Sequence, residues 1–171
     1  MSPLVLASVF FITGTSGSGK TTLTQSLKLK LSAAHFAVHD FDERGVPPNP
    51  DQAWRQATTN LWLTQAQKNA TMGKSTIICG VTVPTEILQS PSKLTIPIHF
   101  GFIKVADHVI RQRLESRGWD KQLIADNINW AHHLEAAVTN QKNHLIIDTA
   151  QHSTPESIAD ACIRYIEHSK P

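Results

Sequence analysis

The chain has 171 residues, 40% of them hydrophobic and 18% charged, with a formal net charge of +2. That length and apolar share suit one core, so a single domain over residues 1–171 is expected and a disordered chain is not. Lys and Arg are scattered, with one modest cluster at Arg111, Arg113 and Arg117, which argues against the basic stripe of a nucleic-acid binder.

The elements follow in order. Leu4 to Ile12 is apolar, has no basic segment before it and runs into a glycine-rich loop. It reads as a buried first strand, Val5 to Thr13, and not as a signal-peptide core. A helix is expected from Thr21 to Leu31, with Leu23, Leu27 and Leu31 on one face. Phe36 to Asp40 reads as a second strand and Gly45 to Pro50 as a proline-rich loop. Asn49-Pro50 suits the start of a helix running to Met72, with Gly73 as its stop. Ser75 to Val81 is a third strand, Val83 to Pro91 is irregular or one short helix, and Ile96 to Val105 contains a fourth strand. Asp107 is placed to cap a helix carrying Ile110 and Leu114 and ending near Gly118. Asp120 is placed to cap the next, with Ile124, Ile128, Ala131 and Val138 on one face. His144 to Asp148 is a fifth strand, and Thr154-Pro155 opens a last helix that buries Ile158, Cys162 and Ile166.

Cys79 and Cys162 each sit in an apolar run and read as buried free thiols of a reducing compartment. Nothing approaches a membrane span, so a cytoplasmic protein without membrane or nucleic-acid partners is expected. Strands alternating with helices imply a parallel sheet covered on both faces, with ligands bound beyond the carboxyl ends of the strands. That rule gathers Gly14 to Thr21, Asp40 to Arg44, Gly80 to Thr82 and Thr149 to Ser153 at one edge.

Gly14-Thr15-Ser16-Gly17-Ser18-Gly19-Lys20-Thr21 matches G-x-x-x-x-G-K-[ST], between an apolar strand and a helix. Its glycines let the backbone wrap phosphates with N–H groups inward, and the helix start adds a positive dipole end. Lys20 is placed for the β- and γ-phosphates and the Thr21 hydroxyl for Mg²⁺, with Thr22 next in the first turn. Asp40 and Asp42 are two apart, so in extended chain they point the same way. They suit an acceptor hydroxyl or water-bridged Mg²⁺. Asp42-Glu43-Arg44-Gly45 also fits D-x-x-G, but the guanine-specifying N-K-x-D is absent. Arg113 and Arg117, four apart on a helix, offer planar donors for phosphate oxygens. The nine histidines show no zinc spacing; His132 and His133 diverge on a helix, and no metal site is expected there.

The phosphate loop, the acidic segment His39-Asp40-Phe41-Asp42-Glu43 and Arg111-x-Arg113-Leu114-x-x-Arg117 together resemble the small P-loop kinases, which include adenylate, shikimate and gluconate kinases. The resemblance implies a three-layer P-loop NTPase fold: five parallel strands in the order 2-3-1-4-5, helices on both faces and a short lid. It implies that the acidic segment meets the acceptor and that Arg113 or Arg117 closes over the phosphates, with Gly118-Trp119 as hinge and anchor. The helix bearing Trp54, Arg55, Leu61 and Trp62 would wall the acceptor pocket. Trp54 and Leu61 share a face that equally suits core packing, and Arg44 or Arg55 is placed for an anionic acceptor. The loop near Thr149 to His152 would border the base.

The reading is an ATP- and Mg²⁺-dependent kinase acting on a hydroxyl or phosphate of a small metabolite. Gly14, Thr15, Ser16, Gly17, Ser18, Gly19, Lys20, Thr21 and Thr22 would hold the nucleotide, and Lys20, Asp40, Asp42, Arg113 and Arg117 would act in transfer. The alternatives are a nucleotide hydrolase or switch, in which water replaces the acceptor, and an ATP-binding regulatory protein. No signal points to an oligomeric state or to the acceptor's identity.

Overall fold

The computed structural model describes residues 7–92 and 94–169. The expected strand from Val5 is seen as β1, Val9–Thr13; Val5 and Leu6 lie outside the described residues. All five residues of β1 are buried, as a central strand covered on both faces requires. The other strands are β2 (Phe36–Asp40), β3 (Ser75–Gly80), β4 (Ile98–Lys104) and β5 (His144–Asp148). They form one sheet in the order β2-β3-β1-β4-β5, parallel throughout. This is the P-loop kinase topology.

Among the described residues, six α-helices flank the strands: α1 (Lys20–Lys30), α2 (Gln52–Thr71), α3 (Pro84–Leu88), α4 (Asp107–Glu115), α5 (Lys121–Thr139) and, after β5, α6 (Pro155–His168). α1 and α6 pack together on one face; α2, α3 and α5 cover the other, with α4 against α5. The three-layer core follows from the apolar spacings. Leu23, Leu27 and Leu31 are buried under α1, and Ile124, Ile128, Ala131, Leu134 and Val138 under α5. Cys79 and Cys162 are buried free thiols. No helix among the described residues is long and apolar enough to cross a membrane.

The structure corrects several local expectations. α2 is capped by Asp51, whose side chain accepts from the Trp54 N–H, and not by Asn49. A carboxylate one residue past Pro50 reaches a first-turn donor. Asp107 makes no cap; it is the first residue of α4 after Ala106, and its carboxylate instead meets His132 Nε2 at 2.9 Å. Asp120 does cap α5, accepting from Leu123 N–H. Thr154 and Ser157 form a reciprocal capping box on α6. Ile158 is only half-buried, because it faces a cavity described below. On α2, Leu61 is exposed and Trp62 takes the core position, with no exposed surface. Gly73, at φ 72°, ends α2 as expected.

Because the chain passes from β1 outward to β2, back to β3 beside β1, and then across to β4, the connections diverge at the carboxyl end of β1. An open parallel sheet forms its ligand crevice there.

Candidate active site

The segment between β1 and α1 is shaped by its glycines. Gly17 and Gly19 adopt φ of 83° and 94°, a region that L side chains avoid. A Cβ on Gly14 would lie 2.6 Å from Ser18 Oγ. Gly19 occupies the cap position of α1 with no side-chain cap, and no acidic residue stands in the first turn. The first N–H groups of α1 therefore face outward unneutralised, at the positive end of the helix dipole.

Three successive carbonyls of the loop are each held by a side chain. Lys20 Nζ donates to Thr15 O at 2.7 Å, Asn127 Nδ2 to Ser16 O at 3.1 Å, and an Arg113 Nη to Gly17 O at 2.7 Å. The hydroxyls of Thr15 and Ser18 are buried without a hydrogen-bond partner among the described residues. Unsatisfied buried hydroxyls beside outward N–H groups form a donor-rich cradle, which fits a polyphosphate. Thr21 and Thr22 are exposed on the first turn of α1, open to a cation or phosphate.

Burial is the largest influence on Lys20 and brings its pKa down to about 8. The charges of Asp40 and Asp42 oppose that shift, while Arg117 adds to it. Burial likewise raises the Asp42 carboxyl, helped by the Asp40 charge and opposed by Lys20. The acidic pair and the loop lysine thus share one electrostatic environment.

The acidic turn is built from its own side chains. The Asp42 N–H donates to Asp40 Oδ1 at 2.9 Å and the Asp40 N–H to Glu43 Oε2 at 3.0 Å. Glu43 Oε1 lies 2.6 Å from His39 Nδ1 and Glu43 Oε2 3.6 Å from Lys28 Nζ. Burial works against ionised Glu43, but these bonds and charges hold its carboxyl below the usual range. The Asp42-to-Gly45 stretch is a tight turn closed by the Gly45 N–H on Asp42 O at 2.9 Å.

Underneath, the Phe41 N–H continues the β3 ladder to Cys79 O at 2.8 Å, and its ring packs over Gly80. A Cβ at Gly80 would stand 2.2 Å from Phe41 Cβ. Trp62 Nε1 donates to Phe41 O at 3.0 Å. The Trp62 ring also meets the His39 ring and the Arg44 guanidinium, 4.7 Å from its centroid. Trp54 lies edge-on to Phe41. Arg55 is ion-paired with Glu86 of α3 at 2.7 Å. The two arginines expected near an acceptor are therefore engaged, Arg44 on an indole and Arg55 on a carboxylate.

On the other side of the loop, beyond β4 and β5, lies a cavity of about 360 Å³ lined by Gly17, Ser18, Gly19, Thr22, Arg113, Arg117, Thr149, Pro155 and Ile158, among others. Arg113 and Arg117 thus share one cavity, and Arg111 does not line it. The short lid reduces to the end of α4 and residues 116–120 before α5. Thr149 Oγ1 donates to Lys104 O at 2.9 Å, tying the ends of β4 and β5. Asp40 and Asp42 stand apart from this cavity, at the β2 end of the sheet.

Comparison with known proteins follows this geometry. The family described as AAA domain matches residues 11–133, a stretch that runs from β1 into α5 and takes in the loop, the acidic turn, Arg113, Arg117 and Asn127. The chain belongs to the AAA domain family. No curated protein sequence matches this member of the family. Among solved structures, shikimate kinase from Acinetobacter baumannii in complex with shikimate superposes with a TM-score of 0.62 at 16% identity, covering 98% of this chain and 97% of that one. An APS kinase of Mycobacterium tuberculosis in complex with AMPPNP and APS gives 0.61 at 17% identity, covering 94% and 98%. A sugar kinase from Janibacter sp. gives 0.62 at 18%, covering 95% and 96%. These likenesses establish the fold: a P-loop NTPase domain shaped like the small-molecule kinases.

Proposed function

We propose that this P-loop domain is an ATP-dependent kinase that transfers a phosphoryl group to a hydroxyl or phosphate of a small molecule. The observation that carries the reading is the acidic turn. A pair of carboxylates stands at the β2 end, within the field of the loop lysine and apart from the cavity that would take the nucleotide. Such acids, set off from the nucleotide cavity, would serve an acceptor that lies outside it. The fold shared with an APS kinase that binds AMPPNP supports the same reading.

Residues 14–22 would hold the triphosphate through loop N–H groups, the Thr15 and Ser18 hydroxyls and Lys20, and Thr21 would hold Mg²⁺. When bound, Mg²⁺ and ATP supply the transferable group and neutralise charge on it. Arg117 would add charge to the phosphate site from the end of α4. Asp40 already accepts the Asp42 N–H, whereas the Asp42 carboxylate makes no hydrogen bond among the described residues. With its pKa raised, Asp42 is the better proton acceptor, and Asp40 shapes the turn and would help hold Mg²⁺ through water.

An acceptor screen with ADP detection tests this directly. With the acceptor found, Asp42→Asn is expected to lower kcat by roughly 10²–10⁴-fold, the usual worth of a general base, with little change in KM for ATP. Asp40→Asn is expected to lose activity that higher Mg²⁺ partly restores. ATP turnover that needs no acceptor and ignores both amides would establish a hydrolase instead.

A further inference from the structure

We propose that Asn127, on α5, is a positioning residue for the phosphate loop: by holding the Ser16 carbonyl it orients the Ser16–Gly17 peptide so that the Gly17 N–H faces the phosphates. The inference rests on the nucleotide reading above and deepens it.

A trans peptide is planar, and its C=O and N–H point in opposite directions. Whatever holds the Ser16 carbonyl therefore aims the Gly17 N–H. Asn127 Nδ2 holds that carbonyl at 3.1 Å. The Gly17 N–H makes no hydrogen bond among the described residues, although Gly17 is buried. An N–H that no protein group accepts, on a residue that lines the cavity, is open to a ligand.

The flanking peptides are fixed by other means. Thr15 O is held by Lys20 Nζ and also accepts the Ser18 N–H. Gly17 O is held by Arg113. Within the loop only the Ser16–Gly17 peptide depends on Asn127, and it stands between Gly17, which is free to rotate at φ 83°, and the half-buried Ser16. Without the clamp this peptide is the one the glycine can flip.

The donor is also well supported. Asn127 stands beside Ile124, Ile128 and Ala131, which are buried, on a helix capped by Asp120 and packed on β4 and β5. A donor on a rigid element holds a loop more tightly than one on another loop. Asn fits the task because its amide donates to a carbonyl without adding charge beside a triphosphate.

The test uses the full chain and the non-hydrolysable analogue AMPPNP with Mg²⁺. Asn127→Ala removes the donor, and Asn127→Leu removes it while keeping the branched shape of the side chain, so that a packing loss in the first is told from a lost bond. Both variants are expected to bind AMPPNP about tenfold more weakly, with the melting temperature of the unliganded protein lowered by only about 2–4 °C, the cost of one hydrogen bond in a chain of this length. In ¹⁵N spectra the Gly17 amide of the wild type is expected to shift on binding, and that shift is expected to shrink in both variants. Variant affinities within twofold of wild type, with the Gly17 shift intact, would overturn the clamp while leaving nucleotide binding standing. A wild type that does not bind AMPPNP at all would overturn the nucleotide reading itself.

Discussion

Lys20 gives a prediction that can be worked through in numbers. In the free protein burial brings its pKa from the ordinary 10.5 to about 8. A triphosphate bound against it favours the charged form and returns the pKa to 10.5 or above. At pH 9 only about one Lys20 in eleven is protonated in the free protein, so binding takes up about 0.9 proton; at pH 7 it takes up about 0.1. The affinity for MgATP then falls roughly tenfold between pH 7 and pH 9, or about 1.4 kcal/mol. A terminal phosphate with its second pKa near about 6 is fully ionised above pH 8 and adds no protons of its own there. Calorimetric titration at pH 9 in two buffers of different ionisation enthalpy measures the uptake, and Lys20→Met is expected to abolish it. Uptake near zero at pH 9 in the wild type, or equal uptake in Lys20→Met, would refute the reasoning.

Two further predictions concern the fold. Gly80→Ala puts a methyl where Phe41 Cβ lies 2.2 Å away. Overpacking of this kind costs about 1–3 kcal/mol, so the melting temperature is expected to fall by roughly 2–12 °C; an unchanged melt would show that the acidic turn shifts freely. His99 is buried and stacked on Phe10, and burial holds its pKa below the ordinary 6.5. The folded state therefore binds fewer protons, and stability, full above pH 6.5, declines as pH falls through that value. Urea midpoints at pH 7.5 and 5.5 should differ in that sense, and His99→Phe should flatten the difference.

Much of this was legible in the chain because the signals are short-range. The loop from Gly14 to Thr21 is a contiguous motif, and β2 and β5 are bounded by residues that stop strands. Apolar spacing alone placed the core faces of α1 and α5. The errors came where two local signals competed. Asn49-Pro50 and Asp51 both suit a helix start, and only the geometry of the Trp54 N–H decides for Asp51. Leu61 and Trp62 are adjacent apolar residues, and a one-residue rotation of α2 settles which enters the core. Other features had no local signal at all. Asn127 stands 111 residues from the carbonyl it holds, and the role of Glu43 in the acidic turn depends on His39 and Lys28 converging on it.

Trp62 makes the acidic turn mechanically one body with α2. Its indole N–H holds the turn's backbone at Phe41, while its ring meets His39 before Asp40 and Arg44 after Asp42. The two aspartates are thus suspended between three attachments to a single side chain rooted in the core. A displacement of α2 must carry the carboxylates with it. The acidic turn is geared to that helix, and its distance from the phosphate loop is set by how α2 rests on the sheet.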